Sequence, residues 1–246
     1  MKIYSLDIET TGDNANKHDI LTIGGIIAEL NNGKLTIGSF FNEIFFKEDI
    51  CISEYPYKIH KELLEEYFKE KINEPLVGKQ LIGYSIWAKE HTIKTSEEDY
   101  YKSIVDTLYS KLIWKQSKST TEGAPFFFNF DDVLIIGKNY TKFDREFLLK
   151  ALDKFGKTER TEFLRTLLNR TAYDIGTACM DFNIDTKVPN TKECLDRLGV
   201  QYDKDKFHNS LYDSYLMLQA FAKINKFSII NPLNEKLFTM ISVHER

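Results

Sequence analysis

Five side chains in this sequence have the types and spacing for metal-assisted hydrolysis. In the opening stretch MKIYSLDIETTG, Asp7 and Glu9 stand two residues apart in an otherwise apolar run. On a strand such residues project from the same face, and two carboxylates there repel unless a cation lies between them. An all-oxygen pair suits Mg²⁺ or Mn²⁺ rather than a structural zinc site. Alone the pair is a weak signal, because a chain with 37 acids in 246 residues produces such a triplet by chance. Two more acids extend it. Asp144, in GKNYTKFDREFL, follows a second apolar run and opens a helical pattern, where an acid also suits the helix dipole. Asp213, in FHNSLYDSYLML, borders the apolar face of Leu216, Met217 and Ala220, a costly place for an acid without a partner or a metal. His208 lies five residues before Asp213. An imidazole titrates near neutral pH and can take a proton from water.

The elements that must carry these groups follow from periodicity. Residues 2–8 read as a strand, 20–30 as a second and 34–46 as a third. NNG at 31–33 is a hairpin turn signal, so the three make an antiparallel meander. HKELLEEYFKEKI (60–72) has helical period. Residues 95–114 read as a helix opened by a Thr95/Glu98 capping box. LIGYSIWAKEH (81–91) fits either a short strand or a packed loop, and 115–125 reads as a loop. FFFNF (126–130) reads as core or loop anchor rather than a base-stacking platform. Residues 131–139 contain a buried-type strand ending at Asn139. Helices follow at 143–155, 161–170, 191–200 with Gly199 as its stop, and 208–224 capped by Asn209 or Ser210. Asp174 reads as a helix cap and His60 as structural. This order gives a mixed sheet with helices packed on it.

Taken in order, DIETTG, NYTKFD and HNSLYD resemble the three motifs of the DEDDh (DnaQ-like) 3′–5′ exonuclease family of the ribonuclease H-like superfamily. His208 to Asp213 matches the H-x-x-x-x-D of the histidine branch, and Asn209 stands where the tyrosine branch has Tyr. TAYDIGTA and TKECLDRLGV resemble the family segments around them, so the likeness covers roughly residues 1–60 and 95–223. The resemblance implies an α/β fold, a ribonuclease H-like mixed five-stranded sheet flanked by helices. It also implies two Mg²⁺ or Mn²⁺ ions about 4 Å apart, held by Asp7, Glu9, Asp144 and Asp213. Asp7 would bridge them, Glu9 and Asp213 would complete the nucleophile side, and Asp144 would serve the second ion. His208 would be the general base. Thr10 and Thr11 would contact the terminal nucleotide, with Gly12 turning the chain, and Asn139 and Phe143 would brace the second motif or touch the penultimate nucleotide. The implied reaction releases 5′-mononucleotides from a 3′ end, with single-stranded DNA favoured and RNA as the alternative. Two departures stand out: the spacing from Asp7 to Asp144 exceeds that of compact members, and Ser210 replaces a common Ala. A rival reading is a nuclease-fold module that binds nucleic acid without turnover, for example beside a polymerase. The complete set of acids and His208 argues against it.

Composition bounds the rest. The net charge of −4 excludes a general basic coat for polyanions but leaves Lys138, Lys142, Arg145, Lys204 and Lys206 as local phosphate contacts. The expected organisation is an exonuclease domain over 1–224, with an insertion at about 74–94 and an extended loop at about 115–130. A C-terminal extension over 225–246 follows, as docking tail, packed helix or dimer arm. Three cysteines without a CxxC read as reduced thiols. The first apolar run holds Asp7 and Glu9, so it reads as neither a signal peptide nor a membrane span. The expectation is a cytoplasmic protein, or a nuclear one in a eukaryote, with no membrane partner and with a polymerase or a second copy left open.

Overall fold

In the computed structural model, which describes residues 1–47, 49–69, 83–88, 95–113 and 128–243, the opening apolar run is strand β1 (Lys2–Thr10). It pairs antiparallel with β2 (Ile20–Asn31), which pairs antiparallel with β3 (Lys34–Ile44). Asn32 and Gly33 make the turn between them, both at positive φ, the conformation that the NNG signal anticipates. A small sheet follows, ordered β4-β6-β5, from β4 (Asp49–Ser53), β5 (Phe68–Lys69) and β6 (Gly83–Ala88). Helices α1 (Glu54–Ile59) and α2 (Lys61–Tyr67) connect its first two strands. After α3 (Glu97–Leu108) come β7 (Val133–Gly137), α4 (Asp144–Phe155), α5 (Glu159–Leu168), β8 (Ala172–Asp174) and the short α6 (Ile175–Ala178). The chain then runs through α7 (Thr191–Leu198), α8 (Ser210–Asn225), β9 (Ser228–Ile230) and α9 (Asn234–Val243).

The main sheet is mixed, in the order β8-β7-β1-β2-β3-β9, with β7 parallel to β1. Side chains alternate along β1. Tyr4, Leu6 and Ile8 enter one core with Tyr100 and Ile104 of α3, Phe147 and Leu148 of α4 and Leu164 of α5. Ile3 enters the opposite core with Leu211, Leu216 and Met217 of α8. Ser5 turns the same way, its Oγ donating to the Ser214 carbonyl at 2.7 Å. The period of two therefore sends Asp7 and Glu9 toward the α8 face.

Several expectations shift in detail. The sheet has six strands, not five; the sixth, β9, pairs with β3 and is a three-residue segment too short to show periodicity. It lies in the expected C-terminal extension, whose α9 also buries Leu237 and Ile241 in the α8-side core. The helix expected over 60–72 stops at Tyr67, where Phe68 and Lys69 pair with β6 instead. The helix expected from Thr95 is capped one residue later: Ser96 Oγ accepts the Asp99 amide and donates to the Asp99 carboxylate. Of the expected insertion, residues 83–88 form β6, and the rest lies outside the described residues, as do 115–127 of the expected loop. Phe128 and Phe130, from the aromatic run, pack on the core, Phe130 stacking with Phe163. Among the described residues, no helix is long and apolar enough to cross a membrane.

Candidate active site

Because β1 and β7 are parallel, their carboxyl ends meet at one edge of the sheet, the place where open α/β sheets form crevices. A cavity of about 520 Å³ opens there. Asp7 and Glu9 reach it from β1, Lys138 and Asn139 from the residues after β7, and Phe143 and Asp144 from the start of α4. His208 and Asp213 come from the loop and first turn of α8, Tyr55 from α1 and Lys192 from α7. The structure thus brings together seven of the nine residues expected at the site.

Thr10 and Thr11 are the exceptions. Both are buried, and neither lines the cavity. The Thr10 hydroxyl donates to the Gly12 carbonyl at 2.7 Å, and the Thr11 hydroxyl accepts the Asp19 amide at 2.9 Å. The Thr11 amide and carbonyl are paired as well, with Asp19 and Ser53. These side chains hold the bend after β1 from behind the wall.

Hydrogen bonds from backbone amides fix Asp144 and Asp213. Asp144 is 4% exposed, and its Oδ1 accepts the Ile8 amide at 3.1 Å, tying the start of α4 to the end of β1. Asp213 Oδ2 accepts the His208 amide at 3.0 Å, which folds the loop back onto its own helix. His208 has φ +68°, a left-handed conformation uncommon outside glycine, and its ring stays exposed. Asn139, φ +61°, donates its amide to Asp174 Oδ2 at 2.5 Å. Asp174 also caps α6 through the Thr177 amide, so the expected cap is present and braces the turn after β7 too.

The seating of α8 depends on a residue without a side chain. Gly24 of β2 lies opposite Asp7 in register, and a Cβ there would fall 2.1 to 2.4 Å from backbone atoms of Ser210 and Leu211. The first turn of α8 therefore rests on bare backbone. The Thr22 hydroxyl donates to Ser210 Oγ at 3.0 Å, Ser210 Oγ donates to Asn42 Oδ1 at 2.9 Å, and Ser214 Oγ donates to the Gly24 carbonyl at 3.1 Å. Ser210 is part of this latch.

The electrostatics of the cluster call for positive charge. Burial, then Asp213, Asp144 and Glu9, push Asp7 well above the ordinary carboxylate range. Burial and then Glu9 push Asp213 up, against the pull of the His208 amide. Burial pushes Asp144 from 3.8 to about 7, opposed by its own amide and that of Ile8 and reinforced by Glu9 and Asp174. Asp213 Oδ1 is buried and has no hydrogen-bond partner, an orphaned acceptor aimed into an acidic site. Ligand atoms of Glu9, His208 and Asp213 lie within 4.8 Å of one another. A divalent cation would answer all of these features at once.

One lysine and one histidine were not legible as site residues. Lys192 sits on the cavity wall. His60, expected to be structural, places Nε2 3.2 Å from Glu9 Oε2.

A consequence follows for stability. Carboxyls with raised pKa values bind protons in the fold that the unfolded chain has released, so without a divalent cation stability falls as pH rises from the ordinary Asp value of 3.8 to about 7. Added Mg²⁺ or Mn²⁺ is then expected to raise the melting temperature clearly near about pH 7 and hardly at about pH 4. Thermal melts with chelator or cation across this range measure it, and a cation effect independent of pH would count against the cluster as drawn.

The fold is a ribonuclease H-like one, a curled mixed sheet flanked by helices. No protein-family model matches the sequence, and no curated protein matches it. Solved structures of exonuclease I do match. A structure of exonuclease I discussed for its processivity is 12% identical, with a TM-score of 0.54 over 99% of this chain and 44% of that one. The zinc-ion-bound complex of E. coli exonuclease I with single-stranded DNA is 14% identical, with a TM-score of 0.53 over 100% of this chain and 43% of that one. The same enzyme in complex with a dA16 oligonucleotide gives 11% and 0.51 over 100% and 44%. The chain spans less than half the length of these proteins, and at such identity the likeness is one of fold.

Proposed function

We propose that this chain is a divalent-cation-dependent 3′–5′ exonuclease that hydrolyses the terminal phosphodiester of a nucleic acid strand, with single-stranded DNA favoured. One observation carries the reading: four carboxylates and a histidine, widely separated in sequence, face one cavity at the carboxyl ends of parallel strands. The fold shared with exonuclease I, in whose complexes oligonucleotides are bound, supports the substrate class. Asp7, Glu9, Asp144 and Asp213 would hold Mg²⁺ or Mn²⁺, two ions per site. When bound, the ions supply an activated water and stabilise charge on the leaving 3′-oxygen.

The chain's own groups supply the rest. His208, exposed on a loop yet pinned through its amide to Asp213, would accept the proton of the attacking water. Lys138 and Lys192 on the cavity wall would pair with phosphates of the strand. Phe143, partly buried and packed on Phe147, offers a ring face to the base near the 3′ end. Asn139, exposed at its left-handed turn, would contact the neighbouring nucleotide, while Thr10 and Thr11 would hold the ledge for the terminal one.

A degradation assay tests the reading. On 3′-overhang DNA, blunt DNA and RNA, the expected result is release of 5′-mononucleotides that needs Mg²⁺ or Mn²⁺ and stops with chelator. Faster loss of RNA would move the assignment to an exoribonuclease. Binding of single strands without hydrolysis of any of the three would favour a non-catalytic subunit.

A further inference from the structure

Three acids of the cluster each have one polar contact from outside it. Asp144 has the Ile8 amide and Asp213 the His208 amide, while Glu9 has a side chain, the imidazole of His60. His60 does not belong to the main sheet or its helices. It stands between α1 and α2, where its amide donates to the Pro56 carbonyl at 2.9 Å and its carbonyl accepts the Leu64 amide at 2.9 Å. Leu64 is anchored in a separate small core with Leu21, Ile50 and Ile52. The imidazole is thus delivered from a fixed backbone; it is 7% exposed, against 13% for Glu9. It also stands edge-on to the His208 ring, with centroids 6.4 Å apart.

Glu9 has one more rotatable bond than the aspartates and is the member of the cluster that most needs orienting. We propose that His60 is a positioning residue of the candidate active site: it holds Glu9 by Oε2 and leaves the other carboxylate oxygen to face the cation position. This rests on the proposed cation-dependent function. The region around the small sheet then contributes to the chemistry and is not only an attachment. Groups that orient a metal's direct ligands typically change metal affinity by about 10–100-fold when removed.

The test uses the full chain, with Mn²⁺ as probe. Mn²⁺ affinity is read by calorimetry without nucleic acid, and kcat and KM are read on a single strand at varied Mn²⁺. His60→Ala is expected to weaken Mn²⁺ binding about 10–100-fold and to lower kcat at limiting Mn²⁺, with KM for the strand unchanged and excess Mn²⁺ restoring the rate. His60→Gln, whose amide nitrogen can reach Glu9, is expected to recover most of the affinity. If His60→Ala does not fold, His60→Phe keeps the ring volume without its nitrogens and serves in its place. Wild-type Mn²⁺ affinity in a folded His60→Ala overturns the inference, as do equal losses in His60→Ala and His60→Gln. In both cases an active wild-type chain leaves the proposed function standing. A wild-type chain that neither binds Mn²⁺ nor cleaves overturns both.

Discussion

Asp7→Asn is expected to give a chain that folds better without cation and does almost no chemistry with it. Asp7 sits where three other carboxylates raise its proton affinity, after burial has already done so. Near neutral pH the unfolded chain ionises this group freely while the cation-free fold resists it, so an amide at position 7 removes a penalty from the folded state. The melting temperature in chelator should therefore rise, and the gain should vanish toward the ordinary Asp range near 3.8. Activity should move the opposite way. Asp7 is the acid that Asp144, Asp213 and Glu9 all face, and its loss should cost at least the ~10²–10³-fold typical of one transition-state stabiliser. Melts in chelator and cleavage rates at saturating Mg²⁺ read the two effects separately. Cleavage within tenfold of wild type would remove the cluster as the catalytic centre. Higher stability with lost function is the ordinary cost of holding like charges together for catalysis.

What the sequence made legible, and what it did not, divides along range of interaction. Strand β1, the Asn32–Gly33 turn, the Asn209 cap and the Gly199 stop are set by neighbours within a few residues, and local pattern finds them. The four acids and His208 were legible because their spacing forms motifs, and the structure places all five on one cavity. The contacts that seat them were not. Gly24 looked like an ordinary residue of an apolar strand; only the approach of α8, 186 positions later, shows that a Cβ has no room. His60 looked like one more residue at a helix start, because its contact with Glu9 depends on how the small sheet docks beside the main one. Thr10 and Thr11 do not line the cavity. The family resemblance implied contact with the terminal nucleotide, but the hydrogen bonds of the 10–19 bend claim their hydroxyls. Strand β9 escaped because three residues carry no period, and it exists through pairing with β3.

His208 offers the second large effect, and its backbone decides which variant to use. At φ +68° any residue with a Cβ is strained, so His208→Ala would remove the imidazole and keep the strain. His208→Gly removes both while preserving the amide that holds Asp213 Oδ2. Stability should therefore hold or improve, and any loss of rate reports on the ring alone. A general base contributes ~10²–10⁴-fold, so cleavage by His208→Gly should fall by a factor within that range at neutral pH. Because the ring is exposed at the cavity, small imidazoles can reach the vacated place, and added imidazole should restore part of the rate in proportion to its neutral form. The neighbouring ligand atoms of Glu9 and Asp213 allow another role, in which the ring holds the cation directly. Calorimetry separates the two. A base leaves Mn²⁺ affinity unchanged in His208→Gly, whereas a ligand takes that affinity down with the rate, and in that case the proton of the attacking water must leave by another group.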